Sequence, residues 1–557
     1  MKLRTDIILI VVAAGLLFIP FLGAARLFDW DEINFAECAR EMLATGDYLR
    51  VQIDYSPFWE KPPLFIWLQA ASMSVFGINE FAARLPNAVI GMITLPLLYF
   101  WGVRLRSRRF GLLWAAAYAG SFLPHFYFRS AIIDPLFNLL IYAGIMTLAT
   151  ATVPIKPRRT AFAGTLIGLA MLTKGPVALL LSMLTIAAVA VWSYLSIKRK
   201  SKHKPGKNDT MIFGSFTSSA SILGIFSVFS LAAASLWFGF DIIRNGTWFV
   251  SEFINYQIRL LTTGDAGHGG PFYYHTIVLL LGCFPASLFA LWSLFVPTDI
   301  NFRIARLWNI ALFLVVLIVF SIVKTKIVHY SSLCYFPLTF LAADWADKVI
   351  GNQAQWKKRH TAIVGLFAAF WAVALAAVPV IGMNKEFVMP YIADDFARAN
   401  LTAPVQWNGW EPIVGLIYAV AMICALFLPA RLKFPIVFAS TAVAISLFLP
   451  LIAPKIEGYT QAAPIEFYES LRGRECYVKP VGFKSYAHLF YSRKPRVFSP
   501  AALGIAPDDF ENRLFRGAID KPAYFVCRQQ DADKCRNERN IREIGAKAGF
   551  IFFERLP

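Results

Sequence analysis

Long apolar runs recur along this chain from residue 7 to residue 453, and that pattern leaves few ways to fold. Lipid offers no water to satisfy peptide N–H and C=O groups, so each crossing of a bilayer must close its own hydrogen bonds as a helix, unless the chain forms a closed barrel. A helical crossing takes about 20 mostly apolar residues. Runs at 7–27, 81–103, 110–128, 131–153, 161–173, 176–197, 211–236, 273–297, 304–323, 330–347, 361–383, 412–429 and 434–453 predict an all-α polytopic membrane protein of about thirteen transmembrane helices. The run at 161–173 is short and stops at Thr173-Lys174-Gly175-Pro176, as a broken or tilted helix would. Hydrophobic residues make up 57% of the 557, above the roughly 45–50% of soluble domains.

The net charge of +19 would suit a nucleic-acid binder if it were spread over one surface. Instead the basic residues cluster at Lys2/Arg4, Arg104–Arg109, Lys156–Arg159, Lys198–Lys207, Arg303/Arg306, Lys348–Arg359 and Arg431/Lys433. With a cytoplasmic N-terminus and one crossing per run, every cluster falls on the cytoplasmic side, as the positive-inside bias requires. The charge is therefore a topology signal, and nucleic acid is excluded as a partner. The segments 28–80, 237–272, 324–329 and 384–411 and the C-terminus then face outward. The first run is longer than the core of a signal peptide, roughly 7–15 residues, and is read as an uncleaved anchor.

Composition changes near residue 454 from apolar helices to charged residues, turns and short β-like runs. Residues 1–453 are expected to form the membrane domain and 454–557 a small α/β domain on the outer side, with strands at 475–478, 523–527 and 550–553 and helices at 465–471 and 486–491. Three of the seven cysteines, Cys476, Cys527 and Cys535, fall in that segment. An oxidising compartment permits one disulfide there. Cys527–Cys535 is the expected pair, with Cys476–Cys527 as the alternative.

Chemistry-bearing residues gather where the chain leaves the first apolar run. Asp31-Glu32 stands at that exit, and Phe58-Trp59-Glu60-Lys61-Pro62-Pro63 follows about thirty residues later. Between them the spacing predicts an amphipathic helix with Phe35, Cys38, Ala39 and Met42 on one side. An Asp at a helix start caps exposed N–H groups; an Asp at a membrane exit also serves as a proton acceptor. Glu60-Lys61 reads either as a snorkelling surface pair or as a charge held among aromatics by Pro62-Pro63. Arg129, Asp134, Lys174, Lys324, Lys326 and His329 fall at the outer ends of apolar runs, against the topological bias, and an ionisable group at a membrane edge is a functional candidate by default. Cations at such an edge suit a phosphate leaving group. There is no P-loop, HExxH or GxSxG pattern, so any energy source arrives with the substrate.

These residues together resemble a known group. Asp31-Glu32, Ala36-Glu37, Ala39-Arg40-Glu41-Met42, Gly46-Asp47 and Trp59-Glu60-Lys61-Pro62-Pro63-Leu64 are similar to the bacterial aminoarabinose transferases of lipid A, whose wider group includes the polyprenyl-phosphate-dependent protein mannosyltransferases of the GT-C fold. Arg129 with Asp134-Pro135, Leu172–Pro176, His268 before Pro271, and Lys324 with Tyr330 and Pro337 extend the likeness through the membrane part. The resemblance implies an inverting glycosyltransferase of the bacterial inner membrane that draws on a polyprenyl-phosphate sugar at the periplasmic face. Asp31 is then the catalytic carboxylate. Lys61, Lys174, Arg129 and Lys324 are the expected donor-phosphate contacts, and Glu32, Glu60, Asp134 and Tyr330 are further site residues. The group's metal, where it has one, implies Glu60 and His268 as ligands; no cofactor is otherwise required. In one place the chain departs from the aminoarabinose enzymes, which carry Arg-Tyr where this chain has Asn34-Phe35. That removes a cation and a hydroxyl and leaves the sugar and acceptor open.

Lipid A is the favoured acceptor, protein O-glycosylation the alternative, and a monomer the expected state. A transporter or flippase of a lipid-linked anion is the rival of another class. Transporters place their charges near the bilayer midplane, often in repeated halves; here the ionisable residues gather at the membrane faces and no repeat is visible.

Overall fold

A computed structural model describes residues 2–29, 31–151, 155–200, 216–263 and 269–557. The chain is a mostly helical, polytopic membrane protein. Among the described residues, six helices are long and apolar enough to cross a membrane: Glu80–Leu105, Val177–Leu195, Ser221–Asn245, Phe302–Ile322, Lys358–Met383 and Ala430–Thr460. Tyr274–Gly282 and Ala286–Ser293, bent by 109° at their break, make a seventh if taken as one span. Leu64–Phe76, Asp134–Ala149 and Ile413–Phe427 are apolar but shorter.

Several apolar runs fold differently from their outline in the sequence. The first is helical only over Lys2–Phe18 (α1), and turns follow. Asp31–Thr45 (α2) comes next, then a two-residue hairpin of β1 (Gln52–Ile53) and β2 (Ser56–Pro57), then Leu64–Phe76 (α3) and Glu80–Leu105 (α4). The run at 110–128 divides into α5 (Arg108–Ala119) and α6 (Phe122–Tyr127), with Gly120 capping the first. Asp134–Ala149 is α7. The run at 161–173 lies inside a longer helix, α8 (Pro157–Lys174), which starts with Pro at its first position, where the missing N–H costs nothing. It stops at Gly175, whose φ of +81° suits glycine and whose added Cβ would stand 2.2 Å from the Phe253 ring. Val177–Lys200 is α9, Phe216–Asn245 is α10, and Trp248–Thr262 is α11.

The expected helix is present as α2, but its burial is not confined to the side of Phe35, Cys38, Ala39 and Met42. Every residue from Glu32 to Met42 is buried, because α2 lies between α3, the hairpin and the helix Ala487–Ser492. Its buried polar groups are consequently drawn into contacts. Arg40 donates to both carboxylate oxygens of Glu37 at 2.7 and 2.6 Å, Glu41 accepts the Tyr55 N–H at 2.9 Å, and burial beside Glu37 pushes the Glu41 carboxyl well above the usual range.

The helix Ala430–Thr460 continues past residue 454, where the composition changes. Beyond it stands a four-stranded sheet in the order β3 (Tyr477–Val481), β4 (Ala523–Arg528), β6 (Phe550–Arg555), β5 (Arg542–Lys547). β3 and β4 are parallel, and the other pairs are antiparallel, with Phe525 opposite Phe553. The crossover helix Phe510–Arg516 buries Phe510 and Leu514 against this sheet. The unit is tied to the exit of α1: Leu27 N–H donates to the Tyr491 hydroxyl at 2.7 Å, and Gln461 donates to the Leu27 carbonyl at 2.7 Å.

Candidate active site

The exit of α1 is held by one buried ion pair. Arg84, near the start of α4, donates to Glu32 at 2.9 and 2.7 Å and to the carbonyls of Leu22, Ala25 and Arg26 at 2.8, 2.7 and 3.0 Å. Glu32 also accepts the N–H groups of Phe28 and Ala131 at 3.0 and 2.7 Å. Its two oxygens are therefore committed to holding three chain segments together. Breaking such a pair by removing one partner typically costs about 3–5 kcal/mol. Glu32 positions; it is not free for chemistry.

Asp31, one residue earlier, opens α2 with a side chain 37% exposed. Its Oδ2 lies 3.5 Å from His329 Nε2, and the same nitrogen lies 3.8 Å from Asp134 Oδ2. Burial depresses His329 below its ordinary value even though Asp134 raises it, so the imidazole is neutral at pH 7. Asp134 heads α7 and accepts Lys174 Nζ at 2.6 Å; Lys174 ends α8. The acid sits at a helix N-terminus and the base at a C-terminus, each where the helix dipole favours its charge. Lys174 Nζ also lies 5.0 Å from the Tyr330 ring centre.

Lys61 reaches the same space from the Pro62-Pro63 turn, with Nζ 5.1 Å from the Tyr256 ring centre. Burial would lower its pKa, but Tyr256, Glu60 and Asp31 outweigh that and raise it, so the ammonium stays charged. Asp29 is pushed up to about 6 by burial, against hydrogen bonds from Ser485 and Tyr486.

Asp29, Asp31, Glu60, Lys61, Asp134, Lys174, His329 and Tyr330 line one cavity of about 880 Å³. One flank is apolar through Val177, Leu180, Phe253, Val319 and Phe320; another is apolar through Phe21, Leu22, Leu449, Pro450 and Ala453. Charges under apolar flanks can hold a phosphate while its lipid tail stays out of water.

Of the expected phosphate contacts, Lys324 is placed elsewhere and Arg129 is engaged with backbone carbonyls. Lys324 is exposed and does not line the cavity; the chain turns there so that its neighbour Lys326 points inward, capping the carbonyls of Phe320, Ser321 and Val323. Arg129 lines the cavity but gives its guanidinium to the Pro20 and Ser446 carbonyls at 2.7 and 3.3 Å. His268 lies outside the described residues, and among those described no group of three or more His, Cys, Asp or Glu is placed to hold a metal. Cys527 and Cys535 bring their sulfurs to 3.1 Å, both buried, while Cys476 is buried separately.

Sequence reasoning passed over Arg84, Asp29 and Lys484, which all line the cavity, and named His329 without giving it a place in it. Arg84 had a usable signal, a lone guanidinium inside an apolar run. Lys484 had none, since it arrives from the C-terminal unit.

Similarity to known proteins falls on these same segments. The family model described as dolichyl-phosphate-mannose-protein mannosyltransferase matches residues 60–206. A protein of Pectobacterium carotovorum subsp. carotovorum named undecaprenyl phosphate-alpha-4-amino-4-deoxy-L-arabinose arabinosyl transferase is 27% identical over 404 residues, 70% of this chain and 67% of its own length. Its namesake from Edwardsiella ictaluri is 28% identical over 353 residues, 61% of this chain and 59% of its own. The crystal structure of ArnT from Cupriavidus metallidurans bound to undecaprenyl phosphate superposes with a TM-score of 0.74 at 19% identity, covering 99% of this chain and 98% of that one. The apo form gives 0.71 at 18% identity, covering 100% and 98%. At these identities the superpositions establish a common fold.

Proposed function

We infer that this chain, a membrane glycosyltransferase of the group holding the lipid A aminoarabinose transferases and the polyprenyl-phosphate-dependent protein mannosyltransferases, moves a sugar from a polyprenyl-phosphate donor to lipid A at the outer face of the bacterial inner membrane. One observation carries the reading: a single apolar-flanked cavity gathers an accessible carboxylate, Asp31, with two ammonium groups, Lys61 and Lys174. The acceptor oxygen attacks the anomeric carbon opposite the phosphate, and configuration inverts. A new C–O bond forms as the bond to the phosphate oxygen breaks, and its electron pair leaves with the phosphate. Lys61 and Lys174 meet that charge, Asp31 takes the acceptor proton, and neutral His329 keeps Asp31 and Asp134 apart. Glu32 and Arg129 hold the backbone around the site. Glu60 with His268 would be the protein's ligands if a divalent metal assists.

The test is transfer by purified protein from synthetic undecaprenyl-phosphate aminoarabinose to lipid A, read by mass spectrometry of both products. Modified lipid A with stoichiometric undecaprenyl phosphate is expected; absence of both with an intact fold overturns the reading. A second reading, transfer to protein serine or threonine, is favoured by the mannosyltransferase model over residues 60–206. Glycopeptide formation without lipid A modification would select it. The N-terminus is assigned to the cytoplasm and the C-terminal unit to the periplasm, so a periplasm-dependent reporter fused after Pro557 should be active. In that compartment Cys527 and Cys535 should oxidise to a disulfide and leave Cys476 free, and peptide mapping without reduction checks it.

A further inference from the structure

A second pocket, of about 260 Å³, lies beside the first outer segment and is separate from the cavity just described. Its lining includes Arg50, Trp237, Asp241, Asn245, Trp248 and Phe249. Asp241, at the outer end of α10, is only 6% exposed. One of its oxygens accepts from Asn245 Nδ2 at 2.7 Å; the other, Oδ2, is buried with no hydrogen-bond partner. A buried carboxylate oxygen left without a donor is costly, about 1–3 kcal/mol or more for a charged group. The site is thus built around a missing donor.

The walls indicate which donor. Trp237 and Phe249 meet edge to face at 4.9 Å, and Trp248 adds a partly exposed ring on the same side. Aromatic rings lining a pocket beside a carboxylate suit an organic cation. Arg50 suits an anion close to that cation. Leu236, Phe240 and Ile243 lie exposed at helical spacing on α10, the helix that carries Asp241, an apolar strip that an alkyl chain can follow. An ammonium, an adjacent anion and an alkyl chain at the membrane edge describe one ligand class. We propose that this pocket binds the headgroup of a zwitterionic phospholipid carrying a primary ammonium, with the ammonium on Asp241 and the phosphate on Arg50. The carboxylate reaches an ammonium by rotating about its last torsion, which is broad for Asp. A primary ammonium can donate to Oδ2 and a quaternary one cannot, so the site discriminates between them. The pocket and the larger cavity share α11: Trp248 and Phe249 line one, Phe253 and Tyr256 the other. A bound headgroup would pin α11 against the segment carrying Arg50 and Pro57.

The test uses full-length protein in detergent micelles doped with phosphatidylethanolamine, phosphatidylcholine or phosphatidylglycerol of identical acyl chains, with retained lipid read by native mass spectrometry. Phosphatidylethanolamine should bind about tenfold more tightly than phosphatidylcholine, the scale of one charge-assisted hydrogen bond. Asp241→Asn, nearly isosteric, should abolish that preference. Arg50→Gln should weaken all three lipids and leave the preference intact; it is exposed and serves as the variant if Asp241→Asn fails to fold. Equal binding of the ethanolamine and choline lipids, a preference that survives Asp241→Asn or vanishes in Arg50→Gln, or displacement of the ethanolamine lipid by a neutral saccharide would each overturn the proposal.

Discussion

The two ends of α4 carry two clusters of charge built to opposite purposes. Arg84 and Arg106 stand 22 residues apart, about 33 Å along a helix, which matches a hydrocarbon layer of about 30 Å. At the Arg106 end, charge is saturated. Arg106 pairs with Asp344 Oδ1 at 2.6 Å and with Asp347 at 2.9 Å, Arg109 pairs with Asp347 at 2.5 Å, and Lys348 and Ser293 both donate to Asp344 Oδ2, at 2.7 and 2.8 Å. At the Arg84 end, Glu32–Arg84 is saturated, Asp134 is half satisfied by Lys174 at 2.6 Å, and other charges have less. Asp31 has a neutral imidazole 3.5 Å away, Asp134 leaves Oδ2 without a hydrogen bond, and Lys61 rests over a ring. Charges that satisfy one another hold helices together. Charges left short of partners hold a place for something else.

Breaking the saturated end should give the largest effect. Asp344→Ala leaves Arg106 and Lys348 facing a void, and unfolding should show a loss of about 3–5 kcal/mol, with transfer per folded molecule unchanged. An unaltered stability would erase the distinction between the ends. At the open end the effects should appear in turnover instead. Asp31→Asn should lose about two orders of magnitude or more in transfer with an unchanged melting point, because Asn caps a helix about as well as Asp; turnover within a few-fold of the parent would leave Asp31 as a cap only. Lys61→Ala and Lys174→Ala should each lower transfer by at least about tenfold. They should differ in stability, since only Lys174→Ala strands a buried carboxylate, Asp134; identical melting curves would place the two lysines in equivalent roles. The smallest effect concerns Asp29. Its folded pKa of about 6 is raised, so any stability it lends is full below the ordinary carboxylate range and is lost as pH rises through about 6. Above that pH its charge also opposes an anionic donor. Donor KM should therefore rise between pH 5.5 and 7.5, and Asp29→Asn should flatten that dependence.

The sequence made the helices legible because apolar length alone forces helix in lipid, and Asp31, Glu60, Lys61, Asp134 and Lys174 stood out as charges at membrane edges, while Tyr330 came only through the family resemblance. It could not tell Lys324 from Lys326, two residues apart, because the direction of a side chain after a broken helix depends on which carbonyls need a cap. It gave α2 one apolar face because its partners on the other side, Tyr55 and Lys494, come from distant segments. β5 went unseen for a local reason. All its residues are exposed and a bulge between Glu543 and Gly545 interrupts the alternation, so nothing in Arg542–Lys547 has the period of a half-buried strand.

The bond from Leu27 N–H to the Tyr491 hydroxyl joins residues 464 apart, and so it sets a clock on biosynthesis. Ribosomes add about 5–20 residues per second, so the segment around Asp31 waits roughly 20–90 seconds for this restraint to be made. Until Tyr491 has been synthesised and docked, that segment has the bonds of Glu32 to Arg84 and Ala131 but lacks this tie to the C-terminal unit. A ribosome that stalls before that point leaves a protein inserted in lipid without this restraint, and the site is complete only once Tyr491 is in place.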